Sequence, residues 1–85
     1  MNDTPDYERF ILGEMAALTD AESVTPDDSF LELGGDSLKA ILLASAIEER
    51  FDVAIDVIDV FQSESFRALS RLVADTAAAS RERIG

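Results

Sequence analysis

Asp36-Ser37-Leu38-Lys39-Ala40-Ile41-Leu42-Leu43-Ala44-Ser45-Ala46-Ile47-Glu48-Glu49-Arg50-Phe51 is the stretch from which the fold can be read. Asp36 is a favourable helix cap, and the residues after it include no glycine or proline and many strong helix formers. Leu43, Ile47 and Phe51 recur at i, i+4 and i+8, flanked by Ala40 and Ala46, so one side of this helix is built to face a core. At about 100° per residue, Leu38, Ile41 and Leu42 project to the opposite side or its edge. Glu48 and Glu49 share that second side and predict that it is at least partly wet. Surface helices ordinarily carry polar residues there, whereas this one carries three large apolar side chains.

Towards the amino terminus, residues 20–36 are rich in Asp, Ser, Thr, Pro and Gly and have neither a helical nor a strand period. A loop this long in a small domain usually has a function, and Val24, Phe30, Leu31 and Leu33 are its expected anchors to the core. Before it, Tyr7, Phe10, Ile11, Met15 and Leu18 keep helical spacing and predict an amphipathic helix over 5–18. Thr4 is its expected cap, with Pro5 in the first helical position. Towards the carboxyl terminus, residues 52–56 alternate like a strand but have no partner to pair with, and so read as a connection. Val57 to Gln62 reads as one or two helical turns. Ser65 caps a last helix whose buried row is Phe66, Leu69 and Val73. The apolar period is lost after residue 76, so 77–85 is expected to fray. The result is an all-α domain spanning 1–85, with its core over about 5–76, three main helices, a short third helix and a long loop between the first two.

Composition narrows the function. The chain has 85 residues, 47% of them apolar, which supports one compact core despite a net charge of -11. It contains no cysteine and no histidine, which removes disulfides, thiolate nucleophiles, imidazole bases and Cys/His zinc sites. The charge is graded: residues 1–36 carry -9, residues 38–64 carry -4 and residues 65–85 carry +2. Such an acidic chain is a poor partner for nucleic acid. Its start has no basic region and its longest apolar stretch is short, so neither a signal peptide nor a membrane span is expected. The expectation is a cytoplasmic, monomeric domain whose carboxylates keep it in solution, steer basic partner surfaces, or both.

Several chemical sites can be set aside. No glycine-rich phosphate loop is present. Ser37 lacks the flanking glycine of a nucleophile elbow and any histidine to activate it. A calcium-loop frame from Asp27 puts Glu32 where glycine is needed and Leu38 where the bidentate acid belongs. Glu48 and Glu49 read as solvated charge, and the chain reads as non-catalytic. What remains is Leu33-Gly34-Gly35-Asp36-Ser37-Leu38, where the long loop meets the helix. Two glycines leave the approach open, Asp36 caps, and Ser37 falls in the first turn, where a phosphate would be favoured by free N–H groups and the helix dipole. By itself the hexapeptide reads first as an ordinary loop-to-helix turn with a capping Asp, since short Gly/Asp/Ser patterns are common.

A longer pattern separates these readings. Phe30-x-x-Leu33-Gly34-Gly35-Asp36-Ser37-Leu38-Lys39-Ala40, with Ile47-Glu48-Glu49-x-Phe51-x-Val53 and Phe66-x-x-Leu69, resembles the acyl and peptidyl carrier proteins of biosynthetic assembly lines across residues 7–75. The resemblance implies a four-helix bundle in which a phosphopantetheinyl transferase moves 4'-phosphopantetheine from coenzyme A to the Ser37 hydroxyl, supported by Gly34, Gly35 and Asp36. The arm's thiol would hold cargo as a thioester, which a chain without cysteine can then carry. Further implied partners are a loading enzyme (an adenylation enzyme or acyltransferase) and downstream condensing, tailoring or transfer enzymes, docking on Leu38, Ile41, Leu42, Ser45, Val57 and Phe61. The paired glycines and Lys39-Ala40 are closer to the peptidyl carriers of nonribosomal peptide synthesis. The acidic balance and a chain beginning at Met1 point to a discrete acyl carrier of a polyketide or fatty-acid system. The segment Asp56-Val57-Ile58-Asp59-Val60-Phe61 departs from both patterns, with Asp56 where peptidyl carriers often have proline, so the cargo stays open. The alternative from another class is an acidic helical interaction module in which Ser37 merely starts a helix.

Overall fold

A computed structural model describes residues 6–82. It consists of four helices, α1 (Tyr7–Thr19), α2 (Ser37–Phe51), α3 (Val57–Gln62) and α4 (Phe66–Glu82), with no strand among the described residues. The alternating stretch at 52–56 is a plain connection, as its lack of a pairing partner requires.

α1 begins at Tyr7, with the Asp6 side chain accepting the Arg9 amide at 3.0 Å; the expected cap Thr4 and Pro5 lie outside the described residues. α1 and α2 both end on an aspartate in the left-handed conformation, Asp20 at φ 62° and Asp52 at φ 57°. Each amide closes the last turn, onto the Ala16 carbonyl at 3.0 Å and the Glu48 carbonyl at 2.8 Å. Aspartate tolerates this conformation better than most side chains.

The core is one cluster to which every element contributes: Ile11 and Met15 from α1, Phe30 from the loop, Leu43 and Ile47 from α2, Val60 from α3, and Phe66, Leu69 and Val73 from α4. α1 packs on α2 and on α4, and α3 packs on α2. Tyr7 and Phe10, in the first turns of α1, meet Phe51 at the end of α2, with ring centroids 4.6 and 5.3 Å away, so the two helices run antiparallel. Arg50 covers this cluster, its guanidinium carbon 5.2 Å from the Phe51 ring centre. In α2 the second small core residue is Ala44, not Ala46, because Ala44 lies beside Ala40 and Phe51 on the buried side.

Two sequence expectations change here. α4 continues through Glu82, past the expected core limit at residue 76, and Ala77 is buried one turn beyond Val73, while residues 83–85 of the expected frayed tail lie outside the described residues. Alanine adds too little apolar signal to reveal that continuation in the pattern. Leu31, expected to anchor the loop, is 60% exposed, and Phe30 beside it fills the core instead.

Candidate functional site

The loop-to-helix junction is assembled by nested local bonds. Ser29 and Glu32 form a reciprocal box: the Ser29 amide donates to Glu32 Oε1 at 3.1 Å, and the Glu32 amide to Ser29 Oγ at 3.2 Å. This arrangement starts a turn as a capping box starts a helix. The turn closes with the Gly34 amide on the Leu31 carbonyl at 3.1 Å and the Gly35 amide on the Phe30 carbonyl at 3.0 Å. Gly34 has φ +78°, a conformation that a side chain would strain. Gly35 is required for a different reason: a Cβ there would run into the Phe30 ring.

Asp36 then starts α2. Its Oδ1 accepts the Lys39 amide at 2.9 Å, and its carbonyl accepts the Ala40 amide at 2.9 Å. The donated Lys39 amide lowers the Asp36 carboxyl below its ordinary value, and the Lys39 ammonium, 3.4 Å away, adds to the effect. The carboxylate is therefore held ionised as a cap. Ser37 follows in the first turn with its side chain exposed, and the Ser37 and Leu38 amides have no partner among the described residues. The arrangement offers an accessible hydroxyl beside free N–H groups at the positive end of a fifteen-residue helix. No group of side chains suited to a metal ion occurs among the described residues.

The rest of the loop is tied to the start of α4. The Phe66 amide donates to the Asp28 carbonyl and the Arg67 amide to the Pro26 carbonyl, each at 2.9 Å, and Arg67 pairs with Asp27. Ser65 Oγ caps the same helix by accepting the Ala68 amide at 3.1 Å. Donors that a helix start leaves unpaired thus hold the loop in place.

Beside the junction, Leu38, Ile41 and Leu42 are 65%, 49% and 45% exposed, and Ser45 is exposed on the same face. α3 differs from the sequence expectation. Val57 and Phe61 are half-buried against the core, and the large apolar residue of α3 that faces outward is Ile58, at 58% exposure. Phe61 turns inward because Phe30 offers its ring an edge-on partner with centroids 5.3 Å apart. The sequence reading missed Ile58, Phe30 as the support beneath Gly35, and Glu48. The Glu48 carboxylate accepts the Ile55 amide at 3.0 Å, so it pins the α2–α3 connection as well as carrying charge. Only Phe30 had a signal in the sequence, as the largest apolar residue of the loop.

A family model described as the phosphopantetheine attachment site matches residues 9–73. The chain belongs to that family. It is a carrier domain, a bearer of covalently attached phosphopantetheine and not a catalyst. It is 41% identical over 63 residues to the nonribosomal peptide synthetase atnA of Emericella nidulans, covering 74% of this chain and 1% of that protein. It is 38% identical over 66 residues to the isonitrile lipopeptide synthase of Mycobacterium tuberculosis, covering 78% of this chain and 3% of that protein. The carrier thus spans only a few per cent of the length of these curated relatives. Its fold matches BlmI, a type-II acyl carrier protein of Streptomyces verticillus involved in bleomycin biosynthesis, with a TM-score of 0.76 and 27% identity over 82% of this chain and 84% of that one. No described helix of the carrier is long and apolar enough to cross a membrane.

Proposed function

We propose that Ser37 is the attachment residue and that the domain carries aminoacyl or peptidyl thioesters in nonribosomal peptide synthesis. The observation that carries this reading is the exposed Ser37 hydroxyl in the first turn of α2, preceded by two glycines and set beside the unpaired amides of Ser37 and Leu38. These residues fit a phosphodiester. The absence of a side chain at Gly34, which borders open space, leaves room for a transferase to approach, and the helix start favours the negative charge that attachment adds. In the transfer, Ser37 Oγ bonds to phosphorus, the pyrophosphate bond of coenzyme A breaks, its nucleotide part leaves, and the hydroxyl proton passes to a base on the transferase. Asp36 fixes the backbone from which Ser37 projects. The arm supplies a terminal thiol to which cargo binds as a thioester.

The synthetase relatives at 38–41% identity favour peptide cargo over a fatty-acid or polyketide system. The partners we propose are a phosphopantetheinyl transferase, an adenylation enzyme for loading and condensing or tailoring enzymes for unloading, met in the cytoplasm by one copy of the domain. They dock on Leu38, Ile41, Leu42 and Ser45, with Ile58 as the contribution of α3, while the half-buried Val57 and Phe61 seat that helix. Ser37→Ala tests the assignment. The variant melts close to wild type, since an exposed first-turn hydroxyl packs against little, and gains no mass with coenzyme A and a promiscuous transferase. A mass gain equal to that of wild type refutes the role of Ser37.

A further inference from the structure

Among the described residues of the loop between α1 and α2, Phe30 is the one buried side chain, 1% exposed. Two neighbours hold its ring. Gly35 lies against it closely enough that a Cβ would overlap three ring carbons, and the Gly35 amide bonds to the Phe30 carbonyl at 3.0 Å. Phe61 of α3 meets the same ring edge-on, with the planes at 86°. In a close-packed interior neither contact can shift without moving the ring or opening a void. α3 itself has little local support: it is six residues long, and its cap residue Asp56 makes no side-chain cap bond. Its seating therefore depends on Val57, Val60 and Phe61 and on the Glu48 bond to the Ile55 amide.

We infer that the Phe61–Phe30–Gly35 stack positions Ser37, so that the seating of α3 is transmitted through one ring to the backbone two residues before the attachment hydroxyl. This rests on Ser37 being the attachment residue. Phe30 and Phe61 are positioning residues: they act on the transfer through the Gly35 backbone. The Asp36 cap sets the start of α2 by bonds confined to residues 36–40, whereas the Phe30 ring ties the preceding turn to the body of the domain.

The test compares Phe61→Leu, Phe61→Tyr and the distant core variant Val73→Ala. Two readouts are used: backbone amide shifts of the unmodified protein, and kcat and KM for modification by a promiscuous transferase with coenzyme A. Phe61→Leu is expected to shift the Gly35 and Ser37 amides and lower kcat by about two- to thirtyfold, the range typical of coupled packing. Phe61→Tyr, which keeps the ring, restores both, and Val73→Ala leaves both unchanged although it costs more stability. In the reverse direction, Gly35→Ala shifts the Val60 and Phe61 amides. Unmoved Gly35 and Ser37 amides with only a raised KM would make Phe61 a direct docking contact and overturn the inference. Equal shifts from Val73→Ala would overturn it too, as general loosening. If modification falls on another residue, the Ser37 reading fails, while the amide shifts still decide whether the stack positions the turn.

Discussion

Asp36 does two jobs with one carboxylate. It caps α2 through the Lys39 amide and fixes the backbone that presents Ser37. Its pKa is lowered in the fold, first by that amide and then by the Lys39 charge. The sign follows from linkage: a lowered folded pKa gives stability that is complete above the ordinary carboxylate pKa and is lost as pH falls through the lowered folded value. Asp36→Asn keeps a capping oxygen but removes the charge. Melts of the two proteins should therefore differ most near neutral pH, with wild type the more stable, and converge in acid below the ordinary carboxylate range. A gap that stays constant from pH 7 to pH 3 would mean that the charge adds nothing to the cap. The cap was legible in the sequence because capping depends on neighbours within one turn. The need for glycine at position 35 was only half legible: the pair of glycines announces an unusual turn, but the ring beneath Gly35 comes from a contact that no local spacing encodes.

At the scale of elements, α2 separates a buried from an exposed apolar face within one helix. Leu43 and Ile47 are completely buried, while Leu38, Ile41 and Leu42 stand about half exposed or more. Ile41→Ser and Leu42→Ser should each change stability by less than about 1 kcal/mol and impair transfer with cognate enzymes. Leu43→Ser and Ile47→Ser should each cost about 3–5 kcal/mol by leaving a cavity and burying a hydroxyl. For a domain of this length that is a large share of a total on the order of 4–13 kcal/mol. Thermal melts of the four variants check this, and equal losses on both faces would contradict it. α2 was readable because its four turns give periodicity enough residues to fix a phase. α3 was not. With Val57, Ile58, Val60 and Phe61 in six residues, several choices of inward face are equally good, and the choice is made by Phe30, thirty-one positions earlier in the chain. The end of α4 was missed for a related reason: alanines bury little area and leave a weak pattern, yet Ala77 is enclosed.

Across the whole molecule, the long loop is held between the helices by a buried ring, by backbone bonds to the start of α4 and by one exposed ion pair. These differ greatly in weight. Phe30→Ala should cost about 3–5 kcal/mol, because it empties a site at the centre of the core. Asp27→Ala should cost less than about 1 kcal/mol, because the pair it breaks is solvated and screened. Denaturant unfolding of both variants separates the two contributions, and a larger loss from Asp27→Ala would show that charge, not packing, secures the loop.

On the proposed reading, one hydroxyl among the serines of this chain accepts the arm. The most direct measurement is fragmentation mass spectrometry of the wild-type protein after incubation with coenzyme A and a promiscuous phosphopantetheinyl transferase. A single phosphopantetheine is expected on Ser37, with Ser29 and Ser45 on either side unmodified. Localisation of the added mass to any other residue, or no added mass on a folded chain, would contradict it.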